Sequence, residues 1–491
     1  MIKALMTVKH GAADRLKELS AKAKEDLAKI AYASGEWSLT RQHKGQHVLD
    51  VAIIGAGQGG LAASFALRRL GVTNTQIFER ASEGKEGPWT TFARMITLRT
   101  PKHVTGPDLG IPSLTPQSWF EARYGADAWR KLDKIPRQDW QSYLDWLRQT
   151  LALPVEYGAA LTHIGWEDGV IRLTLNGIEG QRDVFTRKLV LATGIDGGGE
   201  WFIPEFIKNN VPKEYYAHTH EAIDFEALRG KRIGVLGAGA SAFDNAATAL
   251  EAGAGRVELA FRRKELPKVN PYRWMENAGF LAHFAKLPDI TRWRFMNHIY
   301  GLNQPPPQDT FWRCRQFESF TLLPATPWLS ASVSEDGKTV EVQTPDGVRV
   351  YDFLIVGTGF TVDLARRPEM CDVAPAVACW QDRFSAPKGE ENALLSCHPY
   401  LGDHFQFLPK DPQSPQADML SAIHNFTFSA TPSMGLSGSS ISGMRFGVER
   451  LARGIAEDLF VQDGDLHLGS LLSYQAAELI SLEPPPEGWG E

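Results

Sequence analysis

The chain has 491 residues, a formal net charge of −6 at neutral pH and 43% hydrophobic residues. This length exceeds what one hydrophobic core usually supports, so two or three domains are expected. The acidic balance argues against a nucleic-acid partner, which would need a basic face. The sequence has neither an apolar run approaching the roughly 18 residues of a membrane span nor the apolar core of an export signal near its start. The four cysteines form no C-x-x-C pair, so we expect a cytoplasmic protein with no membrane partner and no dithiol redox motif.

Residues 1–47 predict a helical extension in front of the first strand. Leu16, Leu19, Leu27 and Ile30 share one helical face among alternating Lys and Glu residues, which is the pattern of an amphipathic helix. We expect this helix to pack on the rest of the chain or on a second copy in a homodimer, rather than on a membrane.

A glycine motif follows the first strand of the sequence. Residues 48–54 are apolar and rich in β-branched side chains, as in a buried parallel strand. They lead into G-x-G-x-x-G at Gly55, Gly57 and Gly60, where a helix begins. The next predicted strand ends at Glu79, close to where a carboxylate binds ribose hydroxyls in dinucleotide folds. The complete pattern predicts a dinucleotide-binding unit whose helix N-terminus faces a pyrophosphate.

The glycine motif recurs later in the chain. Gly237, Gly239 and Ala242 follow an apolar strand and precede a helix. The second strand of this unit ends in Arg262 and Arg263 instead of an acid. Arginines at this place pair with a ribose 2′-phosphate, so the second unit favours NADPH. The alternative is that both arginines belong to a solvated surface.

The segments between and after these units are less informative. The irregular stretch 98–120 is long enough to predict a functional role. Two apolar strands end in a Thr-Gly turn, at Thr193-Gly194 and at Thr358-Gly359. The aromatic stretch 271–328 indicates a core more than a substrate cage. Residues 333–350 predict a hairpin, and a Gly- and Ser-rich loop opens a final helix at Gly443-Met444.

The order of these motifs resembles the flavin-containing monooxygenase superfamily over residues 48–459. The resemblance implies an α/β fold with two Rossmann-like dinucleotide-binding domains, in which an NADPH domain is inserted into an FAD domain. The expected borders are 1–47 for the helical extension, 48–200 and 351–491 for the two parts of the FAD domain, and 201–350 for the NADPH domain.

The resemblance also implies which residues bind the two cofactors, and it implies no metal. The FAD-binding residues are expected to be Gly55, Gly57, Gln58, Gly60, Glu79, Arg80, Trp89, Thr193, Gly194, Gly443 and Met444. The NADPH-binding residues are expected to be Gly237, Gly239, Ala240, Ser241, Arg262 and Arg263, with Thr358 and Gly359 where the chain crosses between the domains.

Two residues are candidates for catalysis by the same resemblance. Arg99 lies in Leu98-Arg99-Thr100-Pro101-Lys102, where heteroatom-oxidising members read T-N-x-x-K, so an arginine replaces an Asn beside the flavin. His218 ends a stretch similar to the F-x-G-x-x-x-H fingerprint of Baeyer–Villiger enzymes. The glycine of that fingerprint is missing and no Trp follows its His, which disfavours ketone oxidation. His in such turns is also often structural.

The expected activity is that of an NADPH-dependent FAD monooxygenase that inserts one oxygen atom from O2 into a small organic substrate through a C4a-(hydro)peroxyflavin. N-hydroxylation of an amine or amino acid is the first choice of reaction. The alternatives are Baeyer–Villiger or sulfur oxidation, an NADPH:acceptor reductase without oxygen insertion, and a non-catalytic flavin or nucleotide sensor.

Overall fold

The computed structural model describes residues 7–32, 35–104, 106–485 and 487, and it has two sheets of parallel core strands. The strands are β1 (Arg41–His43), β2 (Gln46–Ile54), β3 (Thr75–Glu79), β4 (Val155–Tyr157), β5 (Ala160–Glu167), β6 (Val170–Gly177), β7 (Gly180–Leu191), β8 (Gly199–Trp201), β9 (Tyr216–His218), β10 (Arg232–Leu236), β11 (Arg256–Ala260), β12 (Phe320–Leu323), β13 (Ser330–Val333), β14 (Val340–Thr344), β15 (Gly347–Tyr351), β16 (Phe353–Val356), β17 (Phe360–Val362) and β18 (Ile423–Asn425).

The α-helices of the described residues are α1 (Ala12–Lys29), α2 (Gln58–Arg69), α3 (Pro116–Tyr124), α4 (Ala126–Lys131), α5 (Arg137–Leu151), α6 (Glu205–Lys208), α7 (Ala240–Glu251), α8 (Pro271–Met275), α9 (Ala278–His283), α10 (Asp289–Leu302), α11 (Gln308–Arg315), α12 (Trp380–Arg383), α13 (Ala393–Ser396), α14 (Ala417–Ser421), α15 (Thr431–Met434), α16 (Ile441–Gln462) and α17 (Gly464–Ser473). None of them is both long enough and apolar enough to cross a bilayer.

The first sheet has the strand order β4-β3-β2-β7-β6-β5. Strands β4, β3, β2 and β7 are parallel, and β18 joins β7 in parallel from the far end of the chain. Strands β5 and β6 add an antiparallel edge. Because the second half of β2 is buried on both faces, residues 51–54 form a continuous apolar run instead of an alternating one.

The second sheet is parallel throughout, with the order β12-β11-β10-β16-β9. The predicted hairpin is confirmed as β14 and β15, to which β13 is added. Strand β16 pairs with β10, so this sheet extends past the predicted border at residue 350. The strand that ends in the second Thr-Gly turn is therefore part of the second sheet, and the domain borders stay a prediction.

The two sheets are connected by two crossings of the chain. Strand β8 follows the first sheet, β17 follows the second, and the two pair with each other antiparallel.

The predicted N-terminal helix is confirmed as α1. Leu27 is buried, and the hydroxyl of Ser20 lies 2.9 Å from that of Thr150 on α5. Ile30 is 51% exposed and lies beyond the helix end. The helix therefore packs on the first domain.

Candidate active site

The first glycine turn connects β2 to α2 and is closed on one side. Gly55 has a φ of +107°, and a Cβ at this position would lie 2.6 Å from the carbonyl oxygen of Ala192 on the neighbouring crossing. At Gly57, by contrast, a Cβ would meet no atom of the described residues within 4 Å. The turn thus presents backbone to an open face, and a pyrophosphate fits there at the N-terminus of α2.

Glu79 holds the same turn from the end of β3. Its side chain is buried, with one carboxylate oxygen accepting the amide of Ala56 at 2.9 Å and the other accepting the amide of Ala81 at 2.8 Å. Each carboxylate oxygen keeps a second lone pair. Glu79 therefore fixes the turn and still has capacity to accept a ribose hydroxyl, as the sequence predicts.

A second helix N-terminus meets the first at this site. A Cβ on Gly59 would lie 2.9 Å from the carbonyl oxygen of Gly438, in the loop that leads into α16. Gln58, at the start of α2, accepts a 3.2 Å hydrogen bond from the indole of Trp140. Both helix dipoles therefore direct their positive ends to one region, which suits an anionic group.

The helix predicted to start at Gly443 begins two residues earlier, and it is not the final one because α17 follows it. Helix α16 begins at Ile441, not at Gly443. Met444 is fully buried, and a Cβ on Gly443 would lie 2.0 Å from the carbonyl oxygen of Leu436. These two residues therefore pack the helix against its own leading loop, and the free amides belong to the residues from Ile441 to Gly443.

The remaining residues predicted for FAD lie around this turn. Arg80 is exposed directly after Glu79, and Trp89 packs partly buried on the first core, where its carbonyl accepts from Arg137. The carbonyl of Gly194 accepts the amide of Phe428 at 3.1 Å. Thr193 lies against Gly197, because a Cβ added to Gly197 would stand 2.1 Å from the Thr193 hydroxyl. All remain predictions as cofactor contacts.

The second glycine turn repeats the geometry of the first between β10 and α7. Gly237 has a φ of +122°, and a Cβ there would lie 2.3 Å from the carbonyl oxygen of Gly357. Gly239 has open space within 4 Å among the described residues, and Ser241 is exposed, whereas Ala240 is buried. A second pyrophosphate therefore fits at the N-terminus of α7.

The two predicted arginines have different surroundings. Arg262 is exposed just beyond β11. Arg263 donates to the carbonyls of Leu302 at 3.5 Å and Gly301 at 3.3 Å, so it caps the C-terminus of α10. Its guanidinium is thereby engaged by the protein. Of the pair, Arg262 is the one whose surroundings suit a 2′-phosphate.

The second Thr-Gly turn forms part of the connection between the sheets. Thr358 donates its hydroxyl to the carbonyl of Phe202, and Gly359 accepts the amide of the same residue at 2.9 Å. The turn therefore fastens one crossing to the other.

Arg99 is bound to a carboxylate of the second domain. Its Nη2 donates to Asp244 on α7 at 3.0 Å. The side chain of Asp244 is 3% exposed, and burial raises its pKa while Arg99, Thr310 and Arg313 oppose that rise. Arg99 is thus already paired, which disfavours the catalytic role that the resemblance implies for it.

His218 lies at the end of β9, the edge strand of the second sheet. It is fully buried, and its Nδ1 is 2.7 Å from Nδ1 of His220, whose ring stacks on Trp201 at 4.6 Å. Burial, and secondly His220, lower the pKa of His218 to about 4. A ring that is neutral at physiological pH and shielded from solvent is a poor proton donor, which argues against the predicted catalytic role.

The described residues contain one group of three side chains of the types that bind metals. His163, Cys371 and Asp372 have donor atoms within 4.8 Å of one another. Cys371 and Asp372 are exposed, and His163 lies on β5 at the edge of the first sheet. This group has no part in either glycine turn.

Comparison with known proteins accounts for the pair of turns. The family profile described as pyridine nucleotide-disulphide oxidoreductase matches residues 52–277. The "FAD-dependent urate hydroxylase" of Xanthomonas campestris pv. campestris is 44% identical over 473 residues, which cover 96% of this chain and 98% of that protein. The chain belongs to the flavin monooxygenase superfamily. Identity at this level over nearly the whole of both chains shows that this monooxygenase is a flavoprotein oxidoreductase.

Solved structures share the fold of this monooxygenase. Ornithine hydroxylase from Pseudomonas aeruginosa superposes with a TM-score of 0.65 at 16% identity, covering 84% of this chain and all of that one. L-lysine 6-monooxygenase from Pseudomonas syringae gives a TM-score of 0.61 at 18% identity, covering 84% of this chain and 99% of that one. At such identities the likeness is one of fold.

Several residues of the site were not anticipated from the sequence. Asp244 is the most informative, because it is a charged residue on a helix that is otherwise buried and apolar around it, and that contrast is visible in the sequence. Trp140 and the Gly438 loop carried no such signal, since their roles depend on contacts across the fold.

Proposed function

We propose that this protein is an FAD-dependent hydroxylase that oxidises urate, or a closely related oxidised purine, with NADPH and O2. The supporting observation is the identity of 44% to a urate hydroxylase along nearly the whole of both chains. The match covers 96% of this chain and 98% of that protein, so it spans both glycine turns together with the loops and helices around them.

The two glycine turns have separate roles in this function. The turn at Gly55 and Gly57 holds the FAD pyrophosphate, while Glu79 accepts from its ribose. The turn at Gly237 and Gly239 holds the NADPH pyrophosphate, with Arg262 at the 2′-phosphate. When bound, FAD passes electrons from NADPH to O2 and delivers one oxygen atom to the substrate.

The overall reaction consumes one NADPH, one proton and one O2 per urate and yields the hydroxylated product, NADP+ and water. The protein contributes geometry and electrostatics. The N-terminus of α2 lies against the loop that leads into α16, at Gly59 and Gly438, and the positive ends of the two helices would stabilise negative charge on a bound flavin. The buried Trp140 and Gln58 keep water from this side of the site.

The test is a coupled assay on the purified holoenzyme. NADPH oxidation, O2 uptake and urate loss are followed together, and hydrogen peroxide is trapped. We expect equal consumption of NADPH, O2 and urate with little peroxide. NADPH oxidation that urate neither stimulates nor couples to urate loss would refute urate as the substrate.

The same assay tests the other reactions. Ornithine, lysine and cadaverine test N-hydroxylation, which remains the prediction from the sequence, and a sulfide and a ketone test the other oxygenations. A quinone that accelerates NADPH oxidation without O2 uptake would identify a reductase instead. Flavin binding without NADPH turnover would identify a sensor.

A further inference from the structure

Asp244 occupies an unusual place for a carboxylate. It lies in the second turn of α7, the helix whose N-terminus follows the second glycine turn, and its side chain is 3% exposed. The helix around it is buried on most sides, including Phe243 and Ala246. A charge in such a position is costly unless several partners compensate it.

The partners of Asp244 come from two different parts of the molecule. One carboxylate oxygen accepts from Arg99 Nη2 at 3.0 Å. The other accepts the hydroxyl of Thr310 at 3.0 Å and lies 3.6 Å from Nη1 of Arg313. Thr310 and Arg313 are on α11, beside α7, whereas Arg99 belongs to the segment that follows the first glycine unit.

That segment is anchored firmly to the first domain. Leu98 donates its amide to the carbonyl of Ile135 at 2.8 Å, and the carbonyl of Ile96 accepts the amide of Arg137 at 3.1 Å. The carbonyl of Arg99 accepts at 2.8 Å from Arg273, which lies on α8 in the stretch between β11 and β12 of the second sheet. Residues 96–99 are therefore held at both ends, and only the Arg99 side chain of this run reaches the carboxylate of α7.

We infer that Asp244 is a positioning residue, which fixes α7 and the NADPH bound at its N-terminus against the first domain through its ion pair with Arg99. The inference rests on the proposed function, because it presumes that NADPH reduces the flavin. The distance between the two cofactors then depends on this ion pair. A buried ion pair contributes little net stability compared with apolar packing, so geometry is its main contribution.

The experiment compares two neutral variants of the holoenzyme, Asp244→Asn and the matched control Glu251→Gln. Glu251 lies on the same helix and binds Arg313 at 2.8 Å, but it makes no bridge to the segment 96–99. Flavin reduction by NADPH is measured anaerobically by stopped flow, with the Kd of NADPH, the rate of reaction with O2 and the FAD content. Hydrogen exchange of residues 95–99 reports local order independently of activity.

We expect Asp244→Asn to slow flavin reduction by about tenfold or more, since a misplacement of about 1 Å can cost about 100-fold. The Kd of NADPH should change by less than about threefold, because the binding turn is untouched. The O2 reaction and FAD content should stay unchanged, and residues 95–99 should exchange faster. The Glu251→Gln variant should resemble the wild type in every measurement.

A double variant, Arg99→Gln with Asp244→Asn, removes both charges of the ion pair. Neither partner is then left as a buried charge without its counterion. We expect it to load FAD normally and still be reduced slowly. A double variant that is reduced at the wild-type rate would overturn the inference. So would an Asp244→Asn variant with a normal rate of flavin reduction, or one whose rate falls only in proportion to its lost FAD. A wild-type flavin that NADPH does not reduce would overturn the proposed function, and the inference with it.

Discussion

Replacing Gly55 or Gly57 by alanine tests separately how the first turn folds and how it binds its ligand. At Gly55 the new methyl group would meet the protein, because it would lie 2.6 Å from the carbonyl oxygen of Ala192. At Gly57 it would point into a face where the described residues place no atom within 4 Å. A cofactor bound at that face would meet the methyl group, so the two variants should fail in different ways.

The expected magnitudes follow from the backbone. A non-glycine residue at the φ of +107° found at Gly55 is strained by about 1–3 kcal/mol. With the added contact we expect Gly55→Ala to lower the free energy of unfolding of the flavin-free protein by about 2–4 kcal/mol. Gly57 has a φ of −68°, which alanine adopts freely. Gly57→Ala should therefore change the free energy of unfolding by about 0.5 kcal/mol or less.

The loss of FAD affinity should show the opposite order. A methyl group at Gly57 keeps the pyrophosphate from the backbone and breaks at least one charge-assisted hydrogen bond, worth about 1.5–3 kcal/mol. This corresponds to a Kd for FAD raised by about 10- to 150-fold. The assay is urea unfolding of both flavin-free variants, followed by FAD titration. A Gly57→Ala protein that binds FAD as the wild type does would refute the assignment of this turn.

Three further predictions concern single side chains. Arg262→Ala should raise the KM for NADPH by about 10- to 100-fold, since a charge-assisted pair is worth about 1.5–3 kcal/mol, while Arg263→Ala, which uncaps α10, should leave it nearly unchanged. An unaltered ratio of the KM values for NADPH and NADH in Arg262→Ala would contradict the assignment of Arg262 to the 2′-phosphate. Burial lowers the pKa of His398 from 6.5 to about 4, so the native state binds fewer protons than the unfolded state between these values, and stability falls as the pH drops from about 6.5 to about 4. His398→Asn should flatten that fall by up to about 1.4 kcal/mol per pH unit, and an identical pH slope in urea unfolding would disprove it. Leu27→Ala should cost about 2–5 kcal/mol of stability, whereas the exposed Ile30→Ala should cost about 0.5 kcal/mol or less; equal effects would argue against packing of α1 on the first domain.

The cofactor turns were predictable from the sequence because their chemistry is local. One βαβ unit contains a glycine at a strand end, an open glycine two residues later and an acid at the end of the next strand. The spacing of these three residues fixes their geometry. The same holds for Gly237 and Gly239. Each prediction depends on the backbone of a short segment and needs no knowledge of distant contacts.

The roles of Arg99, Arg263 and His218 were not predictable for the opposite reason. Arg99 meets Asp244 across 145 positions, and Arg263 caps a helix that ends 39 residues later. The ring of His218 packs against Trp201 on β8, and its strand pairs with β16, far along the chain. A side chain's function depends on such partners, and motif spacing carries no information about them.

The contact of Gly59 with Gly438 also sets an order of events during synthesis. The first glycine turn is synthesised early, whereas its other wall at Gly438 and the strand β18 follow far later in the chain. Every strand of the second sheet, by contrast, precedes residue 357, so this sheet can fold while the first still lacks β18 and α16. A chain stopped before residue 438 would therefore have a complete second sheet and an incomplete first glycine turn, and we expect it to bind no flavin.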